Sequence, residues 1–197
     1  NNTGSTFTTA TNYAVTLSDT SASAANLNTI NADTTGLVTA TNVTTISSST
    51  FADVNTLISN RGISGNAINI DNDYNVTLSD VSISAANIKV VNNDTSGTIN
   101  ISAATIITSS TIADVLEIVQ NTGSVFTTAT NYAVTLSDAT ISAANVKLIN
   151  ADNGTGTIDI SAATTITSST IADVLEIVNN TGSVFTTATN YAVTLSD

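Results

Sequence analysis

Two sets of aspartates recur along the chain, and carboxylate oxygens are the ligands that calcium prefers in proteins. The first set closes a recurring Leu-Ser-Asp and consists of Asp19, Asp80, Asp138 and Asp197. The second set lies in Asn-rich segments and consists of Asp33, Asp94 and Asp152. The sequence therefore offers a calcium site built from Asp19, Asp33, Asp80, Asp94, Asp138 and Asp152. We favour the structural interpretation, because Asp also ends strands and forms Asx turns.

The known calcium motifs do not fit these acids. Asp71-Asn72-Asp73 resembles the start of an EF-hand loop, which continues with Gly at its sixth position and Glu at its twelfth. Val76 and Ser82 stand at those two positions, so an EF-hand is excluded. The Gly-Gly-x-Gly-x-Asp repeat of calcium-binding β-rolls is also absent from the sequence.

The residue types argue against catalysis. A nucleophile needs a base within reach and a group that orients that base, and the chain has no His and no Cys. Hydrolysis by two carboxylates needs only Asp or Glu, and Glu117 and Glu176 are available. Both fall on the polar face of a predicted helix, where a solvated role is favoured. We therefore expect a protein that is not an enzyme and needs no cofactor, with calcium as the one candidate ion.

The charge balance excludes two kinds of partner. The chain has 15 acidic and 3 basic side chains, a formal net charge of −12. Arg61, Lys89 and Lys147 are too few to neutralise a phosphate backbone, so no nucleic acid is expected as a partner. The sequence has no run of 18 apolar residues, so membrane insertion of this segment is not expected. Low Lys, absent Cys and abundant Thr and Asn are typical of extracellular bacterial proteins.

An internal repeat determines the positions of these residues in the sequence. The string FTTATNYAVTLSD occurs at residues 7–19, 126–138 and 185–197. Its tyrosine recurs with spacings of 61, 58 and 59 residues, at Tyr13, Tyr74, Tyr132 and Tyr191. Periods of this size are typical of repeat architectures.

The period divides the chain into three repeats: residues 13–73, 74–131 and 132–190. Residues 1–12 match the end of a preceding repeat, and residues 191–197 match the first strand of a following one. Neither end resembles the polar cap that repeat proteins usually carry. We therefore expect a window on a longer array, in which the recurring string is the strand that joins one repeat to the next.

Each repeat is predicted to hold two strand–helix coils. In the third repeat, Tyr132, Val134 and Leu136 alternate with smaller or polar residues, which predicts a half-buried strand. Residues 142–150 follow as a short helix with Ser142 as its N-cap. The apolar side of this helix consists of Ala143, Val146 and Ile149. The Asn-x-Asp…Gly loop after it supplies the left-handed stop that helix ends prefer.

The second coil repeats this order in a variant form. Ile158 and Ile160 begin its strand, which residues 164–167 (Thr-Thr-Ile-Thr) are expected to extend. Residues 170–179 carry the clearest helical pattern in the chain. Its predicted apolar face consists of Ile171, Val174, Leu175 and Val178. Thr170 and Asp173 form a pair like a capping box, and Asn-Thr-Gly at 180–182 ends the helix.

One coil cannot bury its own apolar face, since its strand is apolar on one side and its helix carries a narrow stripe. Stacked coils solve this by pairing strands about 4.8 Å apart in a parallel ladder. We therefore predict an α/β repeat solenoid, with two stacked coils in each repeat of about 59 residues. Its outline is similar to that of leucine-rich repeats. An all-β solenoid is the alternative, although Ala, Leu and Glu in residues 170–179 favour a helix.

The segments VTLSDATISAANVKLINADNGTGTIDISAATTIT and SSTIADVLEIVNN resemble a repeat style of very long bacterial proteins. These are the giant adhesin-like and motility-associated cell-surface proteins of cyanobacteria and other marine bacteria. The resemblance covers the whole chain and includes no catalytic motif. It implies export, attachment to the cell surface and an extended, often filamentous form.

Three functional hypotheses follow. The first is a structural extracellular repeat protein that forms a stalk or filament on a bacterial surface, by self-association along the repeat axis or as a homo-oligomeric filament. The second is an adhesin module that binds glycan or calcium through its repeated Thr/Asn/Asp-rich face and gains by avidity. The third is a phage fibre shaft, because such shafts are also repetitive and Thr-rich, although they are usually intertwined trimers.

Overall fold

The computed structural model is an α/β protein in which short parallel strands alternate with helices. It describes residues 9–62 and 67–196. The chain forms two compact units. The N-terminal unit comprises Asn1–Ser79 with Val90–Ile99, and the C-terminal unit comprises Asp80–Lys89 with Asn100–Asp197.

Six helices lie within the described residues: Ala24–Asp33 (α1), Phe51–Ser59 (α2), Ala85–Asp94 (α3), Ile112–Gln120 (α4), Ala143–Asp152 (α5) and Ile171–Asn179 (α6). The strands up to α3 are Val15–Thr16 (β1), Ser21–Ser23 (β2), Val38–Thr39 (β3), Thr45–Ser49 (β4), Ile68–Asn69 (β5), Asn75–Leu78 (β6) and Ser82–Ser84 (β7). The later strands are Ile99–Ile101 (β8), Ile106–Ser110 (β9), Phe126–Thr128 (β10), Ala133–Leu136 (β11), Thr140–Ile141 (β12), Ile158–Ile160 (β13), Thr165–Ser169 (β14), Phe185–Thr187 (β15) and Ala192–Leu195 (β16). The helices confirm the α/β class and contradict the all-β alternative.

Strand pairing in the N-terminal unit is parallel. In the sheet β1-β3-β5, Val38 has Val15 and Ile68 as its partners on either side. In a second set, Ile46 of β4 lies between Ala22 of β2 and Val76 of β6. The paired positions are 23–30 residues apart. That distance matches one strand–helix segment, and the helix returns the chain so that the next strand runs in the same direction.

The C-terminal unit contains the parallel sheets β7-β9-β11-β13-β15 and β12-β14-β16. Strand β11 comes from the recurring string and is paired on both edges. Val134 has Ile107 of β9 as its partner on one side and Ile158 of β13 on the other. In sequence, β9 belongs to residues 74–131 and β13 to residues 132–190. Strand β11 therefore hydrogen-bonds to segments of two successive repeats.

The expectation that residues 164–167 extend the strand at Ile158 is wrong. The chain turns after β13, where the amide of Ser161 donates to Asp159 Oδ1 (2.9 Å) and the amide of Ala163 donates to the carbonyl of Ile160 (2.9 Å). Residues 165–169 then form β14, which pairs with β12 and β16 in a different sheet. An Asx turn thus divides what the sequence suggests is one strand into two.

The predicted shorter helix is confirmed. Helix α5 begins after Ser142, whose Oγ accepts from the amide of Asn145 at 3.4 Å, and it continues to Asp152. Ala143, Val146 and Ile149 are each 0% exposed, as the spacing of three predicted. After this helix, Gly154 has a positive φ of 65°, so the predicted left-handed stop is present in the third repeat.

The longer helix α6 is also present, but its predicted apolar face is wrong. Thr170 caps it, accepting from the amide of Asp173 at 3.2 Å and donating to that carboxylate at 2.9 Å. Ile177 is buried at 1% exposure, whereas Ile171, Leu175 and Val178 are 50%, 47% and 48% exposed. Val174 is half-buried, and on α4 the equivalents of the three exposed residues, Ile112, Leu116 and Val119, are half-buried as well.

A recurring serine joins each longer strand to the helix before it. Ser110 is 2% exposed, and its Oγ accepts from the amide of Ala85, the first residue of α3, at 2.8 Å. The same hydroxyl donates to the carbonyl of Thr108. The equivalent bonds are Ser49 to Ala24 (2.9 Å) and Ser169 to Ala143 (2.8 Å). Each serine satisfies a helix N-terminal amide that would otherwise be buried without an acceptor.

Replacement of Ser110 by alanine tests this contact. The buried amide of Ala85 would lose its acceptor, so Ser110→Ala is expected to lower the free energy of unfolding by about 1–3 kcal/mol. Urea denaturation measures the change. The matched control is Ser124→Ala, because the Ser124 hydroxyl makes only an exposed local bond to the carbonyl of Asn121 (3.0 Å). Equal effects of the two substitutions would contradict the role of Ser110.

Candidate functional site

The loop aspartates are held by the tyrosines of the recurring string. Tyr132 Oη donates to Asp152 Oδ2 at 2.6 Å. The same bond joins Tyr74 to Asp94 and Tyr13 to Asp33. The rings of Tyr74 and Tyr132 are buried (0% and 3% exposed), whereas Tyr13 is only partly covered. The carboxylates that sequence analysis offered as calcium ligands therefore accept hydrogen bonds from phenols.

The loop after each of these aspartates closes on the backbone of the same tyrosine. Thr95 Oγ1 donates to the carbonyl of Tyr74 at 2.5 Å, and Asn153 Nδ2 donates to that of Tyr132 at 3.1 Å. A Cβ on Gly97 would stand 2.3 Å from the Tyr74 carbonyl oxygen. Glycine is therefore required at position 97 because the backbone of Tyr74 lies so close, and not because the chain makes a left-handed turn there.

Burial and the neighbouring carboxylates keep these phenols protonated. Burial raises the pKa of Tyr74 most, followed by its hydrogen bond to Asp94, and Arg61 offsets a part of this rise. Burial likewise raises the pKa of Tyr132, with the hydrogen bond and the charge of Asp152 adding to it. Ionisation of either ring would place a second negative charge beside a carboxylate.

The strand-end aspartates lie elsewhere. Asp138 Oδ2 accepts from the amide of Ile112, the first residue of α4, at 2.7 Å, so it complements the positive end of that helix. Asp19 is exposed and Asp80 is half-buried. Asp197 lies outside the described residues. Sequence analysis did not anticipate that a strand-end acid would cap a helix of the preceding coil.

The described aspartates of the two sets have different hydrogen-bond donors. Among the residues that the structure describes, no group of three or more Asp, Glu, His or Cys side chains is placed to hold a metal ion. Asp33, Asp94 and Asp152 lie beside tyrosines, and Asp138 lies at a helix N-terminus. Calcium binding by these acids stays a prediction, and their hydrogen bonds give them structural roles.

All three cations of the chain form ion pairs. Lys89 Nζ lies 2.9 Å from Asp114 Oδ1 and 3.3 Å from Glu117 Oε2. Lys147 Nζ lies 3.0 Å from Asp173 Oδ1 and 3.8 Å from Glu176 Oε2. The Lys89 ammonium lowers the pKa of Asp114, and the Lys147 ammonium lowers that of Asp173. Glu117 and Glu176 are therefore partners of lysines on a neighbouring helix, not the freely solvated side chains that the sequence suggested.

The third cation, Arg61, belongs to the N-terminal unit. Its Nη1 lies 2.5 Å from Asp94 Oδ2, and its Nη2 donates to the carbonyl of Ile70 at 3.1 Å. The guanidinium also lies 5.7 Å from the centre of the Tyr74 ring. The aligned position of the next repeat holds Thr122, whose hydroxyl oxygen lies 3.1 Å from the carbonyl oxygen of Ile118 and 3.4 Å from Asp152 Oδ2. The equivalent Tyr–Asp pairs of the two repeats thus have different third side chains beside them, Arg61 in one and Thr122 in the other.

Beside Arg61 the N-terminal unit has an open cleft of about 600 Å³. Its polar walls include the exposed side chains of Asn69, Asp71, Asn72 and Asn93. Ile58 adds an apolar contribution. Amide and carboxylate groups in a cleft of this kind suit a neutral polyhydroxylated ligand, because the amides donate and accept hydrogen bonds and the carboxylate accepts them. Sequence analysis did not predict this cleft.

Comparison with protein-family models, curated proteins and solved structures finds no match to the chain. Within the described residues, no helix is both long enough and apolar enough to cross a membrane.

The tyrosine–aspartate pairs predict a distinct behaviour at alkaline pH. Because the folded-state pKa values of Tyr74 and Tyr132 lie above the usual 10.0, their stabilisation is complete below pH 10 and is lost as the pH rises above it. Ultraviolet absorbance of the phenolate, followed together with circular dichroism, should show these two rings ionising as the fold is lost.

Tyr132→Phe identifies the contribution of that ring to the absorbance change. In this variant, one phenolate should disappear from the alkaline phase that accompanies unfolding. Formation of the Tyr132 phenolate near pH 10 in a chain that remains folded would contradict the buried hydrogen bond to Asp152.

Proposed function

We propose that the protein is a structural extracellular repeat protein that forms an extended stalk or filament on a bacterial surface. The observation that carries this proposal is the pairing of β11 on both edges, with Ile107 on one side of Val134 and Ile158 on the other. A strand that fits the repeat before it and the repeat after it permits copies to be added without new contacts. Each added copy of the repeat then serves to lengthen the protein.

The finer architecture proposed here is a solenoid of stacked strand–helix coils. Parallel pairing over 23–30 residues in the N-terminal unit supports it. Contacts between successive helices support it as well, since α1 packs on α2, α4 on α5 and α5 on α6. In such a stack each coil buries an apolar face of its neighbour, and contacts remain close in sequence.

The polar contacts also favour a structural role. Ser110, Ser169 and the lysine ion pairs connect segments about 25 residues apart, which is the length of one coil. These contacts use hydroxyls and charges that a catalytic site would need to leave available. The composition, which is low in Lys, free of Cys and rich in Thr and Asn, and the resemblance to giant surface proteins support an extracellular location.

Lengthening the chain tests the proposal. Residues 1–178 contain three whole periods, so a chain of residues 1–178 joined to residues 1–197 continues the repeat in register. Small-angle scattering should show the maximum dimension increasing by roughly 29 Å, six strand spacings of about 4.8 Å, while the cross-section stays constant. A radius of gyration that grows only as a compact domain does would contradict a stalk.

Glycan binding is the second candidate function, and the cleft beside Arg61 is the observation that favours it. Its exposed amides, Asn72 and Asn93, suit sugar hydroxyls. If a glycan array identifies a ligand, Asn72→Ala combined with Asn93→Ala should weaken its binding by roughly tenfold. Asn190→Ala, an exposed amide of the C-terminal unit, is the control. A blank array would contradict this candidate.

A further inference from the structure

The loop after α5 contains the only Asn-Gly pair of the sequence, Asn153-Gly154. Because glycine has no Cβ, the backbone nitrogen that follows this asparagine is unhindered. In a chain that can reach the right conformation, this nitrogen attacks the carbonyl carbon of the asparagine side chain. Asn-Gly is therefore the pair in which an asparagine amide is converted to an acid most readily.

In the folded loop the Asn153 side chain is buried and held by two hydrogen bonds. Its Nδ2 donates to the carbonyl of Tyr132 at 3.1 Å and to the carbonyl of Gly156 at 2.9 Å. The residue is 0% exposed. The first bond ties the loop to the residue directly before β11. A carboxylate has no hydrogen to donate, so an acid at position 153 would lose both bonds and face two carbonyl oxygens.

The folded backbone keeps the reacting atoms apart. Asn153 has a ψ of 8°, so the nitrogen of Gly154 nearly eclipses the nitrogen of Asn153 and lies away from its side chain. The attack would also place negative charge on Asn153 Oδ1, and no group of the described residues donates a hydrogen bond to that buried atom. A Cβ on Gly154 would collide with the carbonyl of Thr130, so the neighbouring chain confines the loop in this conformation.

We propose that Asn153-Gly154 is a deamidation site that reacts only when the loop has opened away from Tyr132, and that the product then prevents the loop from closing. In the open loop the Gly154 nitrogen bonds to Asn153 Cγ, the Cγ–Nδ2 bond breaks, and ammonia leaves with the amide proton of Gly154. Water then opens the cyclic imide to aspartate or isoaspartate. The new carboxylate belongs to a position that the fold buries, so closing the loop on it is unfavourable.

The other two repeats close the same loop without an amide. Thr34 and Thr95 stand at the aligned position, and their hydroxyls donate to the carbonyls of Tyr13 and Tyr74. A threonine cannot undergo this reaction. The site is therefore confined to the third repeat, and the first repeat supplies a loop of unreactive sequence, Asn-Ala-Asp-Thr-Thr-Gly at residues 31–36.

Mass spectrometry of the full chain tests whether the fold protects this site. The chain is incubated at mildly alkaline pH in buffer and in guanidinium chloride, and peptide mapping follows the conversion of residue 153. Deamidation should be at least about tenfold slower in buffer, because only the open fraction of the molecules reacts. Equal rates in buffer and in denaturant would overturn the proposal.

A matched variant tests whether the reaction is what blocks closure. Replacing Asn153-Gly154 by a single threonine gives the third repeat the loop sequence of the first. After long incubation in denaturant and return to buffer, the parent chain should recover less folded protein than this variant, in proportion to its deamidated fraction. Equal recovery by a deamidated parent chain and by the variant would overturn the claim that the product prevents closure.

Asn153→Asp introduces the product directly. The amide of Gly156 donates to the carbonyl of Asn153 at 3.1 Å, and its protection from hydrogen exchange should fall at least about tenfold when the loop no longer closes. The control is Asn55→Asp, the same change at an exposed amide of α2. An Asn153→Asp chain that fails to fold while Asn55→Asp folds gives the same answer. Unchanged protection of Gly156 in Asn153→Asp would overturn the proposal.

Discussion

The rest of the structure depends on parallel backbone pairing between segments that are about one strand and one helix apart in the sequence. Paired positions such as Val15 and Val38, or Val134 and Ile158, are separated by a strand and a helix. A parallel pair needs such a crossover, because the chain must return to its starting side. Neither the strand nor the helix buries its apolar side alone. The pairing therefore fixes at once where each helix lies and which side chains form the core.

The side chains that recur beside this pairing stabilise it. Ser110 satisfies a helix amide, Tyr132 donates to Asp152, and Lys147 pairs with Asp173. Each contact joins segments that the backbone ladder has already placed side by side. The acids that look like metal ligands in the sequence are occupied in this way, since hydroxyl, phenol and amide donors lie within hydrogen-bonding distance of them. These polar residues therefore hold neighbouring strand–helix segments together.

Local sequence patterns predicted the helices and strands better than they predicted which neighbours these elements contact. The caps at Ser142 and Thr170 and the buried spacing of Ala143, Val146 and Ile149 followed from nearest neighbours, and the structure confirms them. The division at Asp159 is a local Asx turn that the alternation of Ile158 and Ile160 did not reveal. The exposed side of α6 depends instead on which neighbour covers each face. The Arg61 cluster was missed for the same reason, because Asp94 lies 33 residues away. Periodicity gives no information about such partners.

The central claim is that the recurring strand pairs on both edges, and nuclear Overhauser contacts of Val134 test it most directly. In an isotope-labelled chain, Val134 should show interstrand contacts to both Ile107 and Ile158, in the pattern of parallel strands. Contacts to only one of these residues, or an antiparallel pattern, would contradict a ladder that continues from one repeat into the next.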